Sequence, residues 1–223
     1  MSQQLIEDEI EKQKQFIRNT IEEQEKERLK IGKELHDNIN QHLNTTRLYL
    51  EVAKDKTTGE ALEMIDLAYK GLSDIIKEIR QLSQSLVPST LGDLGLVETV
   101  KELCEALKNK HSFNIRLYHK HFNEKDLPGN MKLMFFRVIQ EQINNIVHHG
   151  QVNSIHISLQ SDAEYISLMI ADNGQGFDRG NYQNMPDFSR ITNRVELFNG
   201  KAEIDTVSGQ GCTLYVTVPR IIY

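Results

Sequence analysis

"YISLMIADNGQGFD" (165–178) runs an alternating apolar stretch straight into a turn with two glycines. Ile166, Leu168 and Ile170 recur at every second position, which reads as a strand burying one face. Asp172 closes the strand, and Gly174 and Gly176 follow it. A carboxylate placed there can accept a hydrogen bond from an exocyclic amine in a dry pocket. Glycines beside it let the backbone come close to a ligand. Taken alone, the segment reads better as a strand followed by an ordinary Asn-Gly turn.

Outward from this stretch, the second half of the chain keeps the same two-residue period. "FNIRLYHK" (113–120), "NSIHISLQ" (153–160), "KAEIDTVS" (201–208) and "CTLYVTVP" (212–219) alternate or are β-rich. Helical patterns fall between them at about Leu94–Lys110, Gly129–His149 and Ser189–Phe198. Mixed strands and helices of this kind predict an α/β sandwich, with helices on one face of a mixed sheet.

The first half has a helical period. From Gln3 to about Asp55 there is no proline, and the only glycine is Gly32. Ile10, Ile17 and Ile31 share one position of a loose heptad, and Ile21, Leu35 and Tyr49 the other. Gln24, Arg28, Asn38 and His42 also fall on the seam, so the coiled coil is imperfect. A helix of this length spans roughly 80 Å and cannot bury its own stripe. "KDKTTGEA" breaks it, with Thr58 expected as N-cap of a second helix that runs to about Leu86. "VPST" stops that helix, and the domain boundary falls near Val87–Leu91. Two antiparallel helices close a core most simply by pairing with a second copy, as a homodimeric four-helix bundle. The fold class is therefore α+β: residues 1–86 for the coiled coil and hairpin, residues 91–223 for the sandwich.

Composition narrows the setting. The 223 residues are 39% hydrophobic and 26% charged, with net charge −6, which argues against a nucleic-acid surface. Cys104 and Cys212 lie far apart with no CxxC spacing, which fits a reducing compartment. No run approaches the length of apolar residues a membrane span needs, and the Glu/Lys/Gln-rich start is not a secretory signal. The expectation is a cytoplasmic protein, or the cytoplasmic part of a longer membrane-bound sensor.

Two further segments accompany the opening one. In "RVIQEQINNIVHHG" (137–150), Glu141, Asn145 and His149 follow one another at i,i+4 on one helix face. A carboxylate with an amide oxygen suits Mg²⁺, a hard ion that keeps several waters; a polar outer face of a core helix would look the same. "SGQGCTLYVTVP" (208–219) is a Gly-x-Gly entering a strand, by itself readable as a plain turn. In this order the three resemble the ATP-binding domain of the GHKL ATPases, with its Bergerat-type fold. "QEQINNIVHHG" looks like the N box, "DNGQGFD" like the first glycine box and "GQGCTLYVTVP" like the last glycine motif. "ERLKIGKELHDNINQHL" (27–43) looks like the dimerisation and phosphoacceptor helix of the nitrate-sensor type of histidine kinase, the HisKA_3 class. There the histidine is followed by Asp, and a Gln completes a DxxxQ.

The resemblance implies a two-component kinase using ATP and Mg²⁺. His36 would attack the γ-phosphate through Nε2, Asp37 would orient or deprotonate it, and the phosphoryl group would pass to the receiver domain of a response regulator. Gln41 would place a water for the reverse, phosphatase activity. Asn145, with Glu141 in support, would hold Mg²⁺, and Asp172 would recognise adenine. His148 and His149 would lie near the phosphates, and Gly174, Gly176, Gly209, Gly211 and Thr213 would line the nucleotide site. From the residues alone, His36 sits one step off the seam, at the flank of the bundle, where a nucleotide can reach it. Asp37, its immediate neighbour, points about 100° away on an α-helix and meets it only in particular rotamers.

The chain departs from the family in two places. Asp187 and Phe188 stand where a Gly-Leu pair usually enters the helix, and Cys212 stands for a usual Thr. Both changes leave open a weak or inactive kinase that works as a phosphatase or as a dimeric docking scaffold. A chaperone or gyrase-type clamp shares the fold, but the HDxxxQ helix counts against it. His119 and His121 read as sharing one strand face, without a third residue spaced to complete a zinc site.

Overall fold

The computed structural model describes residues 3–88, 90–111, 113–125, 127–149, 152–177 and 186–220. They fall into two compact units, Met1–Ser89 and Thr90–Tyr223.

The first unit is a helical hairpin. Helix α1 (Gln3–Glu34) continues through a π-helical turn, Leu35–Ile39, into α2 (Asn40–Lys54). Helix α3 (Glu60–Leu86) returns along it. The turn between them corrects the expectation for Thr58. The N-cap of α3 is Gly59, at φ 70° and ψ −152°, with no side-chain cap. Only glycine adopts that backbone without strain, so the connection reverses at Gly59 and leaves Thr58 exposed. Helix α1 meets α3 closely at Gly32, whose carbonyl accepts a 3.0 Å hydrogen bond from the Ser83 hydroxyl. A Cβ on Gly32 would fall 2.4 Å from a methyl of Val87. The face turned toward α3 carries Gly32, Asn40, Leu43, Arg47 and Leu50, whereas the seam residues Ile31 and Tyr49 stay exposed.

The second unit is a two-layer sandwich. After a short helix α4 (Thr90–Asp93) come α5 (Leu96–His111), β1 (Asn114–Tyr118), α6 (Gly129–His149), β2 (Ser154–Ser161), β3 (Tyr165–Asp172), α7 (Pro186–Glu196), β4 (Lys201–Thr206) and β5 (Cys212–Pro219). The sheet order is β1-β2-β3-β5-β4. Only β1 and β2 run parallel; the other pairs are antiparallel. Alternate residues of the strands, among them Ile157, Ile170, Leu214 and Val216, form one core with Phe135, Ile139 and Ile143 of α6 and Ile191 and Val195 of α7. Glu124 fixes α5 from a distance, its carboxylate accepting from the Leu96 and Val97 N–H groups that open that helix. His119 and His121 lie past the end of β1 rather than on its face.

Candidate functional site

The hairpin's candidate reactive residues lie at the π turn. A π-helix hydrogen-bonds five residues back, as the Asn40 N–H does to the Leu35 carbonyl, and so widens the backbone locally. His36 and Asp37 lie within it. Their side chains are 68% and 53% exposed, and His36 Nδ1 lies 3.0 Å from Asp37 Oδ1. The two neighbouring side chains therefore meet here. An ionised carboxylate only accepts, so in a neutral ring the tautomer suited to this contact has the proton on Nδ1 and the lone pair on Nε2. The pair opens on a groove of about 700 Å³ whose walls include Lys33, Asn40, Gln41 and Arg80. Asn40 is buried, and its Oδ1 has no hydrogen-bond partner among the described residues.

In the sandwich, Asp172 ends β3 half-buried, and its Oδ1 accepts the Gly174 N–H at 2.8 Å. Burial holds its carboxyl above the ordinary aspartate value, opposed by the backbone N–H groups of Gly174 and Cys212. The two glycine segments interlock around it. Gly211, at φ 86°, passes so close to the Asp172 carbonyl that a Cβ would lie 2.1 Å from that oxygen. Gly176, at φ 55°, is pressed in the same way against the carbonyls of Val207 and Gly211. Gly209 donates its N–H to the Gln175 carbonyl. Thr206 joins the two loops, donating to the Gly211 carbonyl at 3.1 Å and accepting the Phe177 N–H at 3.1 Å. Thr213 pairs with Ala171 on β3 and Asp205 on β4.

Helix α6 reaches the same place through Gln142, which hydrogen-bonds the Cys212 thiol. Burial, and then the nearby Asp172 charge, push that thiol up to about 12, so Cys212 is a protonated packing group at neutral pH and not a nucleophile. Asn145 lies one turn along the helix from Glu141, half-buried, and His148 is exposed. Glu141 Oε1 holds the Arg190 guanidinium of α7 at 3.1 Å. Phe188 is buried in the core. The side chains of His149 and Asp187 and the stretch 178–185 lie outside the described residues. No group of three His, Cys, Asp or Glu able to hold a metal occurs among the described residues.

The sequence reading missed the Glu141–Arg190 pair, the contact of Gln142 with Cys212, the role of Thr206 and the orphaned Asn40. The first three join residues far apart in the chain, where periodicity carries no information. Asn40 falls off the heptad seam, so the pattern gave no sign of its burial.

Residues 27–91 match the family model described as "Histidine kinase". Residues 131–222 match the one described as "Histidine kinase-, DNA gyrase B-, and HSP90-like ATPase". Over 210 residues, 93% of the chain, the sequence is 30% identical to "Oxygen sensor histidine kinase NreB" of Staphylococcus carnosus (strain TM300). The chain spans 60% of that relative's length. Among solved structures, the histidine kinase domain of the Erythrobacter litoralis EL346 blue-light activated histidine kinase superposes with a TM-score of 0.52 at 10% identity. That match covers 80% of this chain and 94% of the other and bears on the fold alone.

Proposed function

This chain belongs to the sensor histidine kinases of two-component systems, and on that premise we propose that it autophosphorylates on His36 with ATP and passes the phosphoryl group to an aspartate of a response regulator. Residues 1–86 would dimerise and carry the phosphoryl group, and residues 91–223 would bind the nucleotide. The observation that carries this reading is the 3.0 Å contact between His36 Nδ1 and Asp37 on an exposed turn. It leaves Nε2 as the nucleophile at the mouth of a groove.

Attack by the Nε2 lone pair on the γ-phosphorus breaks its bond to the leaving ADP oxygen. Positive charge then develops on the imidazole. Asp37 stabilises it through Nδ1–H and accepts that proton, which makes it the base. The ionised acid thus keeps the ring in the reactive tautomer before the reaction and removes its proton after it.

The sandwich residues fit a nucleotide. Asp172 is a half-buried carboxylate braced by backbone N–H groups, the environment that favours an exocyclic amine as partner. Gly174, Gly176, Gly209, Gly211 and Thr213 form the surrounding loops and strand end. Asn145 offers the hard amide oxygen that Mg²⁺ takes beside phosphate oxygens and water. Bound Mg²⁺ would offset the charge of the polyphosphate. Glu141, one turn away on the same helix face, would support it. His148 stands exposed on the same helix, where an imidazole can approach phosphate.

Gln41 and Asp37 share the groove beside His36, which supports a water-positioning role for Gln41 in dephosphorylating the regulator. No helix among the described residues is long and apolar enough to cross a membrane, and a cytoplasmic setting suits the reaction's need for ATP.

Incubation with γ-labelled ATP and Mg²⁺ tests the proposal. Label that is acid-labile and alkali-stable, and lost in His36→Gln, is the expected result. Absence of label with dephosphorylation of a regulator retained, and lost in Gln41→Ala, would instead make the chain a phosphatase or docking scaffold.

A further inference from the structure

We propose that Asn40 is a water-positioning residue of the groove beside His36, acting together with Gln41; this rests on the reading of Gln41 as a residue of regulator dephosphorylation.

The main chain of Asn40 is fully engaged. Its N–H closes the π turn on the Leu35 carbonyl, and its own carbonyl accepts the Asn44 side-chain amide at 2.7 Å. The side chain is not engaged. Asn40 is only 6% exposed, and its Oδ1 has no hydrogen-bond partner among the described residues. Lys33 and Arg80 line the same groove and carry donors, yet neither bonds that oxygen. A buried acceptor without a donor is destabilising, and leucine, of similar size, carries no such penalty. Groups of this kind accept from a bound water where the site is polar and roomy. The groove is both: it holds about 700 Å³, and Asp37, Gln41 and Asn44 add polar groups to its lining.

The chemistry follows from what water can donate. With one hydrogen given to Asn40 Oδ1 and the other to Gln41 Oε1, its lone pairs face the open side of the groove, from which a phospho-aspartate would approach. A lone pair forms the new bond to phosphorus. The bond between phosphorus and the aspartyl oxygen breaks, the carboxylate leaves with that electron pair, and the water's proton ends on the inorganic phosphate. A neutral amide takes no proton, so Asn40 orients the water and is not the base. Orientation governs rate here, because a small misplacement of the attacking atom is costly.

The test uses the full chain and a receiver domain that has taken label from it, isolated in its phosphorylated form. Asn40→Leu should lower kcat for phosphate release from that domain about tenfold, the scale of one hydrogen bond to the attacking water, with KM within about twofold. Labelling of His36 from ATP should fall by much less. Asn40→Leu should also melt no lower than the parent, since it removes the unpaired acceptor. Asn40→Ser, which keeps an oxygen acceptor, should recover part of the rate. An unchanged kcat in Asn40→Leu, while Gln41→Ala is inactive, would overturn this proposal alone. Labelling and dephosphorylation lost in equal proportion would make Asn40 a packing residue and overturn it too. A parent chain that releases no phosphate, or one in which Gln41→Ala loses no rate, would overturn the phosphatase reading and this proposal with it.

Discussion

At the residue scale, the proposed reaction turns on His36 and Asp37. Replacing Asp37 by Asn keeps a hydrogen-bond acceptor at 3.0 Å from Nδ1 but removes the charge and the base. Labelling of His36 should fall by about a hundredfold or more, the usual weight of a general base, while ATP affinity stays unchanged. A parallel loss of ATP affinity would place Asp37 in binding rather than chemistry. Asp172 poses the opposite trade. Its carboxyl is held above the ordinary value by burial, so the folded state binds a proton more tightly than the unfolded state does. Stability is therefore undiminished below the unfolded value, near pH 4, and declines as pH rises through the higher folded value. Above that window the ionised acid is a standing cost to the empty site. Asp172→Asn removes the cost, and its amide oxygen can still accept the Gly174 N–H. The variant should melt slightly higher than the parent at pH 7, lose that advantage at pH 3, and bind ATP far more weakly. Calorimetric melting across pH 3 to 7 with and without ATP reads both effects, and a variant that melts lower at pH 7 would contradict the burial argument.

Between elements, the contact that matters most is the one between α1 and the end of α3. Alanine at position 32 would gain about 1 kcal/mol of helix propensity. Its Cβ would also lie 2.4 Å from Val87 Cγ2 and 3.2 Å from Leu86 Cβ, and overpacking of this kind costs ~1–3 kcal/mol. The clash is with a short β-branched side chain that has few rotamers to yield, so the cost prevails. Gly32→Ala should lower the melting point, and Val87→Ala in the same chain should restore it. Simple additivity of the two would mean that the helices do not meet there. The sequence carried some of this plainly and some not at all. The strands from Tyr165 and Cys212 end where their alternation ends, because a sheet with one covered face must alternate. Gly32 was visible only as an isolated helical glycine; its reason lies at Val87, beyond a turn. The π turn that holds His36 and Asp37 left no trace in the hydrophobic pattern of Leu35–Ile39. In the site, Asp172 and its glycines were legible because they follow a strand directly. Glu141 was legible as a face of α6, but its ion partner sits on α7, out of range of any local pattern.

The two units of the whole molecule differ sharply in how much core they own. Nearly every fully buried apolar side chain belongs to the sandwich; among the described residues of the hairpin only Ile76 qualifies. Helices that long with so little buried surface are not stable alone. The hairpin instead leaves Tyr49, Met64 and Leu67 at 69%, 73% and 71% exposure, with Leu48, Val52, Ile75 and Leu82 also open. A second copy offers the same apolar residues in return, and a two-fold pairing would cover both sets at once. Leu67→Glu puts an uncompensated charge into that interface. Sedimentation should then shift from dimer toward monomer at micromolar concentration, and the hairpin's melting should fall. In the parent, that melting should rise with protein concentration, as it does whenever folding and association are linked. The sandwich has its own core, so ATP binding should survive Leu67→Glu while label on His36 is lost. A variant that remains dimeric and fully labelled would move the interface off this face of α3 and leave the exposed stripe without its explanation.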